Sequence, residues 1–181
     1  MRKYIITDPC YLIPDDDWSK CCEIFDSVAY KKAMENRDYE MQRELFDNGI
    51  TAALQKYSGD YKAQACSTGY GDWTNEIWGK NVIKHDFFAD SGMVCVVEYN
   101  DAVKKALINN DNEKLIERGG IAVIETEGNV TIEFDHTDKS WTEITIQDDN
   151  NVFCSIPASS TYDEDESDEW EDEEELNFDD G

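Results

Sequence analysis

The segment that most constrains this chain runs from residue 4 to residue 13, where two apolar triplets, Tyr-Ile-Ile and Tyr-Leu-Ile, flank Asp8-Pro9 and Cys10. Aromatic and β-branched residues favour strands, whereas proline cannot donate to a strand ladder and is confined to edges and bends. The segment therefore predicts an opening strand over residues 3–13 that either lies at a sheet edge or bends sharply at Pro9. A bent strand can serve two layers of a small β-structure, and we expect the other elements to be arranged around it.

Apolar alternation and apolar runs predict six further strands, near residues 63–67, 93–99, 120–126, 129–136, 141–148 and 152–157. The last four form an antiparallel meander with one face in the core and one in water. The face expected to be buried carries Val130, Ile132, Phe134, Ile144 and Ile146. A slip of one residue in register would expose that whole set.

Helices are predicted near residues 16–26 and 30–57, the second within a helical insertion over residues 28–58 that is solvated on one face. The three acids Asp15, Asp16 and Asp17 are expected to cap the first helix, because carboxylates stabilise the positive end of a helix dipole. Asn48-Gly49 is a predicted helix end, so the second region is interpreted as two helices. Its apolar side is expected to consist of Met34, Met41 and Leu45.

A shorter helix is predicted after Asn100, whose side chain can cap it, and Gly119-Gly120 is expected to end that helical region. The combined pattern predicts an α+β fold with a mainly antiparallel sheet, in one domain over residues 1–157. Residues 158–181 form an acidic tail with 13 acids and no basic residue from Asp163 onward, which predicts disorder. In the alternative, the tail folds onto a basic partner through the apolar anchors Trp170, Leu176 and Phe178.

The net charge limits the classes of function that this chain can have. The chain has 42 acidic residues against 16 Lys and Arg, a formal net charge of -26. Such a protein repels nucleic acid and is attracted to basic protein surfaces. The sequence shows no signal peptide and no membrane span, so we expect a cytoplasmic protein with free, mostly buried cysteine thiols and no cofactor.

Two groups of residues could form a catalytic or metal-binding site, but each group also has a purely structural explanation. A nucleophilic pair could combine Cys10 or Cys95 with His85 or His136, although buried structural thiols explain the cysteines. Asp8, Asp72 and Asp90 could surround a divalent cation, although aspartate also favours turns by bonding its own backbone. Residues 68–73 contain two glycines and two aromatics, but they lack the ending of a phosphate-binding loop and are interpreted as a tight turn.

Several motifs together resemble a family of small proteins from phages and bacterial mobile elements that open with an Asp-Pro-Cys-Tyr strand. They are the opening residues 4–11, Gly-Tyr-Gly-Asp at 69–72, Ala-Asp-Ser-Gly-Met-Val-Cys-Val-Val at 89–97, and the meander from Gly120. The resemblance covers about residues 3–148 and implies a β-rich fold, with no catalytic residues to transfer. In length and acidity the chain is also similar to anti-CRISPR proteins that act on type II-A Cas9.

The function predicted from these observations is an acidic, non-enzymatic inhibitor that occupies the basic nucleic-acid-binding surface of a Cas9-type defence nuclease, with carboxylates in place of phosphates. The residues expected to bind the partner are Asp15, Asp16, Asp17, Glu23, Glu35, Asp38, Glu40, Glu44, Glu133 and Asp135. One alternative is a phage regulatory or structural protein. Another is a hydrolase with an Asp/Cys site near Asp8, Cys10 and Asp90.

Overall fold

The structure, a computed structural model, describes residues 1–68, 73–137 and 140–157, apart from the side chains of residues 73, 134–142 and 157. The described helices are α1 (Asp15–Cys22), α2 (Val28–Glu35), α3 (Tyr39–Gln55), α4 (Asp101–Asn109) and α5 (Leu115–Arg118), with 3-10 turns at Pro9–Tyr11 and Glu23–Asp26. The described strands are β1 (Arg2–Thr7), β2 (Gln64–Ser67), β3 (Trp73–Glu76), β4 (Val82–Lys84), β5 (Asp86–Ala89), β6 (Met93–Glu98), β7 (Ala122–Thr126), β8 (Thr131–Thr137), β9 (Ser140–Gln147) and β10 (Val152–Pro157). Within these ranges, no helix combines the length and apolar character needed to cross a membrane.

The opening strand β1 is the middle strand of a five-stranded sheet with the order β2-β6-β1-β7-β4. It pairs antiparallel with β6 on one side and with β7 on the other. The edge alternative for this strand was therefore wrong, and so was its extension to residue 13. The strand ends at Thr7 because the side chain of Asp8 accepts a hydrogen bond from the Cys10 N–H and starts a 3-10 turn with Pro9 at its first position.

Successive residues of β1 serve opposite layers of the domain. Tyr4 and Ile6 pack in a cluster with residues of the three-stranded sheet β10-β9-β8. Ile5 points the other way, into a cluster that contains Ile50 and Leu54 of α3 and residues of α4. The fold is thus α+β and mainly antiparallel, with a central sheet covered by helices on one face and by a second sheet on the other.

The predicted meander was wrong in its first strand, because β7 pairs with β1 and β4 in the central sheet and only β8, β9 and β10 form the meander. These three strands have the predicted register over their described part. Val130, Ile144 and Ile146 are fully buried, and Ile132 is partly buried against the same cluster. The side chain of Phe134 lies outside the described residues. The predicted alternation is therefore confirmed for four of the five positions, because the buried face of β8 and β9 meets the face of the central sheet that carries Tyr4 and Ile6.

The helical region begins and ends differently from the prediction. The helix α3 continues through Asn48-Gly49, and the break falls earlier, at Arg37, whose φ is 52°. There the Asp38 N–H bonds back to the Ala33 carbonyl, the arrangement of a helix C-terminus with a left-handed residue. A glycine within a helix costs about 1 kcal/mol, which the complete burial of Ile50 and Leu54 outweighs.

The predicted apolar side of this region was also wrong. Met34 is 55% exposed and Met41 is 42% exposed, while Leu45 is half-buried. The residues that α3 buries are instead Asp47, Ile50 and Leu54, and the last two belong to the core of the domain. Residues 28–58 are therefore part of the helical layer as well as a solvated surface.

Three short strands, β3, β4 and β5, were not predicted. They lie between Trp73 and Ala89, where the sequence has little regular alternation. Two other predictions hold: Asn100 caps α4 by accepting from the Val103 N–H, and Gly119, with φ 89°, ends α5. The acids at 15–17 occupy the first turn of α1, and Pro14 takes the cap position expected for them. The predictions for Gly69–Asp72 and for the tail 158–181 fall outside the described residues.

Candidate functional site

The 3-10 turn after β1 is fixed by a buried carboxylate. The Asp8 Oδ2 accepts the Ser91 backbone N–H at 2.6 Å, and its Oδ1 accepts the Ser91 hydroxyl at 2.6 Å and the Cys10 N–H at 2.8 Å. Asp8 is completely buried. Hydrogen bonds to an ionised carboxylate are among the stronger ones in proteins, so this group links the end of β1 to the turn between β5 and β6.

The last residue of the same turn makes two further links. The Tyr11 hydroxyl donates to Oδ2 of Asp90, and the Tyr11 carbonyl accepts from the side-chain amides of Asn110 at 3.3 Å and Asn112 at 3.1 Å. Both asparagines follow the C-terminal end of α4. The turn therefore joins three parts of the chain that are distant in sequence.

These contacts explain two motifs of the phage-family resemblance in structural terms. Asp-Pro-Cys-Tyr at 8–11 and Ala-Asp-Ser-Gly at 89–92 are bonded to each other through the Asp8–Ser91 and Tyr11–Asp90 pairs. The third motif, Gly-Tyr-Gly-Asp at 69–72, lies outside the described residues.

The pKa values of the thiols near this turn are shifted in the opposite direction from that of a nucleophilic cysteine. Burial, with Asp8 and Asp90 nearby, raises the pKa of Cys10 far above its ordinary value. Complete burial likewise raises the pKa of Cys95. Cysteine nucleophiles need a lowered pKa, because the thiolate is the reactive form.

Of the two histidines in the predicted nucleophilic pairs, His85 contacts other residues and the side chain of His136 is not described. The His85 Nδ1 lies 2.9 Å from the Ile77 carbonyl oxygen, and its ring packs on Trp78 at 4.8 Å between centroids. The side chain of His136 lies outside the described residues. The pair with Cys10 or Cys95 therefore gains no support from these positions.

The predicted grouping of Asp8, Asp72 and Asp90 around a cation is also not supported by the geometry. Both carboxylate oxygens of Asp8 accept hydrogen bonds from protein groups, and Asp90 accepts one from Tyr11. Asp72 is outside the described residues. Over the parts of the chain that are described, no group of three or more His, Cys, Asp or Glu side chains is arranged to hold a metal ion.

A groove opens beside the turn, and we call it the acidic groove. It consists of two cavities of about 260 and 290 Å³ that share Cys10, Ile13 and Asp15. The first cavity is also lined by Trp18, Asp90 and Ser91, and the second by Asn109, Asn110, Asp111 and Asn112. Three carboxylates, an aromatic ring and side-chain amides therefore line these two neighbouring cavities.

The sequence analysis missed the contribution of α4 to this groove. Asp111 follows the helix with a left-handed φ of 58°, and the Asn112 N–H bonds back to the Leu107 carbonyl. Aspartate and asparagine tolerate this conformation better than other residues with side chains. The run Asn-Asn-Asp-Asn at 109–112 is therefore a recognisable signal for a helix end, but its position beside Cys10 depends on the tertiary fold.

The predicted partner-binding acids are mostly on the surface. Asp17 is half-buried and lies 3.6 Å from the Lys20 ammonium, and the side chain of Asp135 is not described. Asp38 has a structural role as well, because it caps α3 by accepting the Met41 N–H at 3.0 Å. The exposed members of the set are Asp15, Asp16, Glu23, Glu35, Asp38, Glu40, Glu44 and Glu133.

These exposed acids do not form one surface. All but one lie on the α1–α3 region or its turns, which covers one face of the central sheet. Glu133 lies on β8, in the sheet that covers the opposite face. The helical acids and Glu133 therefore belong to different layers of the domain.

Another cavity, of about 760 Å³, is an open groove between β3 and β10. The Trp78 N–H bonds to the Phe153 carbonyl at 2.8 Å at this place, and the Asn75 amide lies 3.2 Å from the Cys154 sulfur. Burial raises the pKa of Cys154 to about 11. Its described lining carries one carboxylate, Glu76, so this groove lacks the charge that distinguishes the acidic groove.

Comparison with known proteins gave no relative from which a function could be transferred. No protein-family model matches the chain, and no curated protein or solved structure matches it either. The resemblances to phage proteins and to anti-CRISPR proteins therefore stay predictions, and a functional proposal has to be argued from charge and geometry.

Proposed function

We propose that this protein binds the basic, nucleic-acid-binding surface of another protein and blocks it, acting in the host cytoplasm as an inhibitor of a Cas9-type nuclease. The observation that carries the proposal is the set of exposed carboxylates on the helical layer, in a protein with a formal charge of -26. Carboxylates on a protein surface present negative charge as phosphates do. They attract basic surfaces over long distances and accelerate encounter with them.

The helical acids are attached to a rigid support. The helix α3 is held to the central sheet by buried Ile50 and Leu54. It is held also by Asp47, which accepts the Ser67 N–H at 3.1 Å and the Ser67 hydroxyl at 2.6 Å. Charges on an ordered element lose less conformational entropy on binding than charges on a flexible segment. This supports a role for the helical layer as the binding surface.

The proposed target class follows from the chemistry of its binding channels. Cas9-type nucleases hold the guide–target duplex in positively charged channels and recognise the adjacent DNA motif with arginines. An acidic protein that occupies these arginines and lysines prevents nucleic acid from binding. The compositional similarity to anti-CRISPR proteins makes a Cas9-type nuclease the first target to test.

Charge reversal on the two opposite faces tests the proposal. The helical variant carries Glu35→Lys and Glu44→Lys, which spares the helix cap at Asp38, and the control carries Glu133→Lys on the other face. Binding to a purified Cas9-type nuclease is measured by surface plasmon resonance. We expect the helical variant to associate at least about tenfold more slowly and the control to behave like the unmodified protein. Binding that is unaffected by the helical variant would exclude this face, and an unmodified protein that does not bind would refute the proposed target.

A further inference from the structure

The acidic groove continues into an apolar slot along α4. A third cavity of about 270 Å³ shares Asn109 and Asn110 with the acidic groove. Its walls are mainly apolar and come from the segment after the 3-10 turn, from the end of α3 and from α4. They include Leu12, Pro14, Tyr57, Ala102 and Ala106. We call the acidic groove and this slot together the composite groove.

The chemistry changes in order along the composite groove. One end is the apolar slot, the middle cavity is lined by Asn109, Asn110 and Asp111, and the far cavity is lined by Asp90. Asp15 lines both the middle and the far cavity. Trp18 lines the acidic end, where its ring can stack on a guanidinium group. The one basic lining residue, Lys105, lies at the apolar slot and disfavours a cation there.

We propose that the composite groove binds a short segment of the partner protein in which an apolar side chain is followed by arginine or lysine. The apolar side chain fills the slot between Pro14 and Ala102, and the cation lies beside Asp15, which lines both acidic cavities. Side-chain amides in the middle can donate to and accept from an extended backbone. This inference rests on the proposed function, because it names the part of the basic partner that the protein recognises.

Charge argues against other occupants of the groove. The carboxylates of Asp15, Asp90 and Asp111 repel phosphate groups and acidic ligands. A second copy of this chain carries the same large negative charge and is repelled as well. A basic polypeptide satisfies both ends of the groove, since it can supply an apolar group and a cation on one segment.

The test uses the full chain and labelled peptides in which one leucine is separated from two arginines by two, three or four glycines. Binding is followed by fluorescence anisotropy. Ala102→Phe fills the slot from an exposed position of α4, and Asp111→Asn removes one charge while keeping a residue that tolerates left-handed φ. We expect Ala102→Phe to weaken binding about tenfold and Asp111→Asn about two- to fivefold. Glu117→Gln, an exposed charge on α5 that does not line the groove, is the matched control and should have no effect.

Peptides in which aspartates replace the arginines should not bind. The proposal is overturned if no arginine peptide binds, or if Ala102→Phe and Asp111→Asn both bind like the unmodified protein while their thermal midpoints show that they are folded. The same variants measured against the nuclease separate the two proposals. If Ala102→Phe and Asp111→Asn both bind the nuclease like the unmodified protein, the composite groove is not the recognition site. The proposal that the acidic helical surface binds the nuclease is then unaffected. If the unmodified protein does not bind the nuclease, the proposed function is refuted. The peptide measurements then still decide whether the composite groove binds a basic segment.

Discussion

Ser91 donates both its backbone N–H and its hydroxyl to the carboxylate of Asp8, each at 2.6 Å, across 83 residues of sequence. The pair connects the end of β1 to the turn between β5 and β6, and Asp8 is completely buried there. Removing one hydrogen-bond donor from a buried carboxylate is costly even where others remain, here the Cys10 N–H. The contact is therefore a determinant of stability next to the groove that we propose as a binding site.

The substitution Ser91→Ala removes the hydroxyl and keeps the backbone donor. We expect it to lower the free energy of unfolding by about 1–2 kcal/mol, because a hydrogen bond to a charged group is lost. Ser19→Ala, an exposed serine in α1, is the control and should change stability by less than about 0.5 kcal/mol. The measurement is urea denaturation of both variants. Equal, small effects would show that the Asp8–Ser91 pair contributes nothing to stability.

The buried carboxylate of Asp47 makes stability depend on pH. Burial raises its pKa to about 6, against the hydrogen bonds from Ser67 and the charge of Arg43, which lower it. The folded protein therefore holds this proton more tightly than the unfolded chain. Its stabilising effect is fully present below the ordinary pKa near 4 and is lost as the pH rises through 6, by about 3 kcal/mol in total.

The variant Asp47→Asn isolates that effect, because it keeps an acceptor for Ser67 and cannot ionise. The difference in free energy of unfolding between unmodified protein and variant should move by about 2 kcal/mol in favour of the variant between pH 4 and pH 7. The other acids titrate in both proteins and cancel in the difference. Denaturation curves across this range provide the measurement. A difference that stays constant with pH would contradict the raised pKa.

The turn between α2 and α3 contains a strained residue. Arg37 has a φ of 52° at a position where glycine is usual after a helix. Arg37→Gly should raise the free energy of unfolding by about 0.5–1 kcal/mol. Arg37→Ala removes the same charge without relieving the strain, so it should bring no gain. If both variants change the thermal midpoint equally, the effect is one of charge.

The acidic tail is expected to matter little to folding. A chain ending at Pro157 loses the 13 acids of residues 163–181 and should keep or raise its thermal midpoint, because repelling charge is removed. It should also keep most of its affinity for the nuclease, since the ordered body carries the proposed binding surface. Differential scanning calorimetry of the two forms decides the first point. A marked loss of stability would mean that Trp170, Leu176 or Phe178 packs on the body.

Local sequence signals predicted the elements whose partners follow closely in the chain. The alternation from Val130 to Ile146 predicted the meander and its buried face, because each strand is completed by the next one. The cap at Asn100 and the end at Gly119 were equally local. The bend at Pro9 was anticipated, but its consequence for the length of β1 depended on the side chain of Asp8.

Features decided by distant contacts were beyond prediction from the sequence. The strand β4 pairs with β7, and the Trp78 N–H bonds to Phe153, so the fold of residues 73–89 depends on segments that come much later. Gly49 suggested a helix end, but the packing of α3 overrode it. The composite groove depends on Tyr11 meeting the end of α4, a contact that spans about a hundred residues.

We propose that this protein competes with nucleic acid for a basic surface through its carboxylates. The most direct measurement is the affinity for a Cas9-type nuclease at increasing salt, with and without a duplex that carries the target sequence. We expect the affinity to fall at least about tenfold as salt rises, because exposed charge pairs are screened over about 8 Å at physiological ionic strength. We also expect the duplex to displace the protein. Binding that is insensitive to salt, or a complex in which nuclease, duplex and this protein are all present together, would contradict the account.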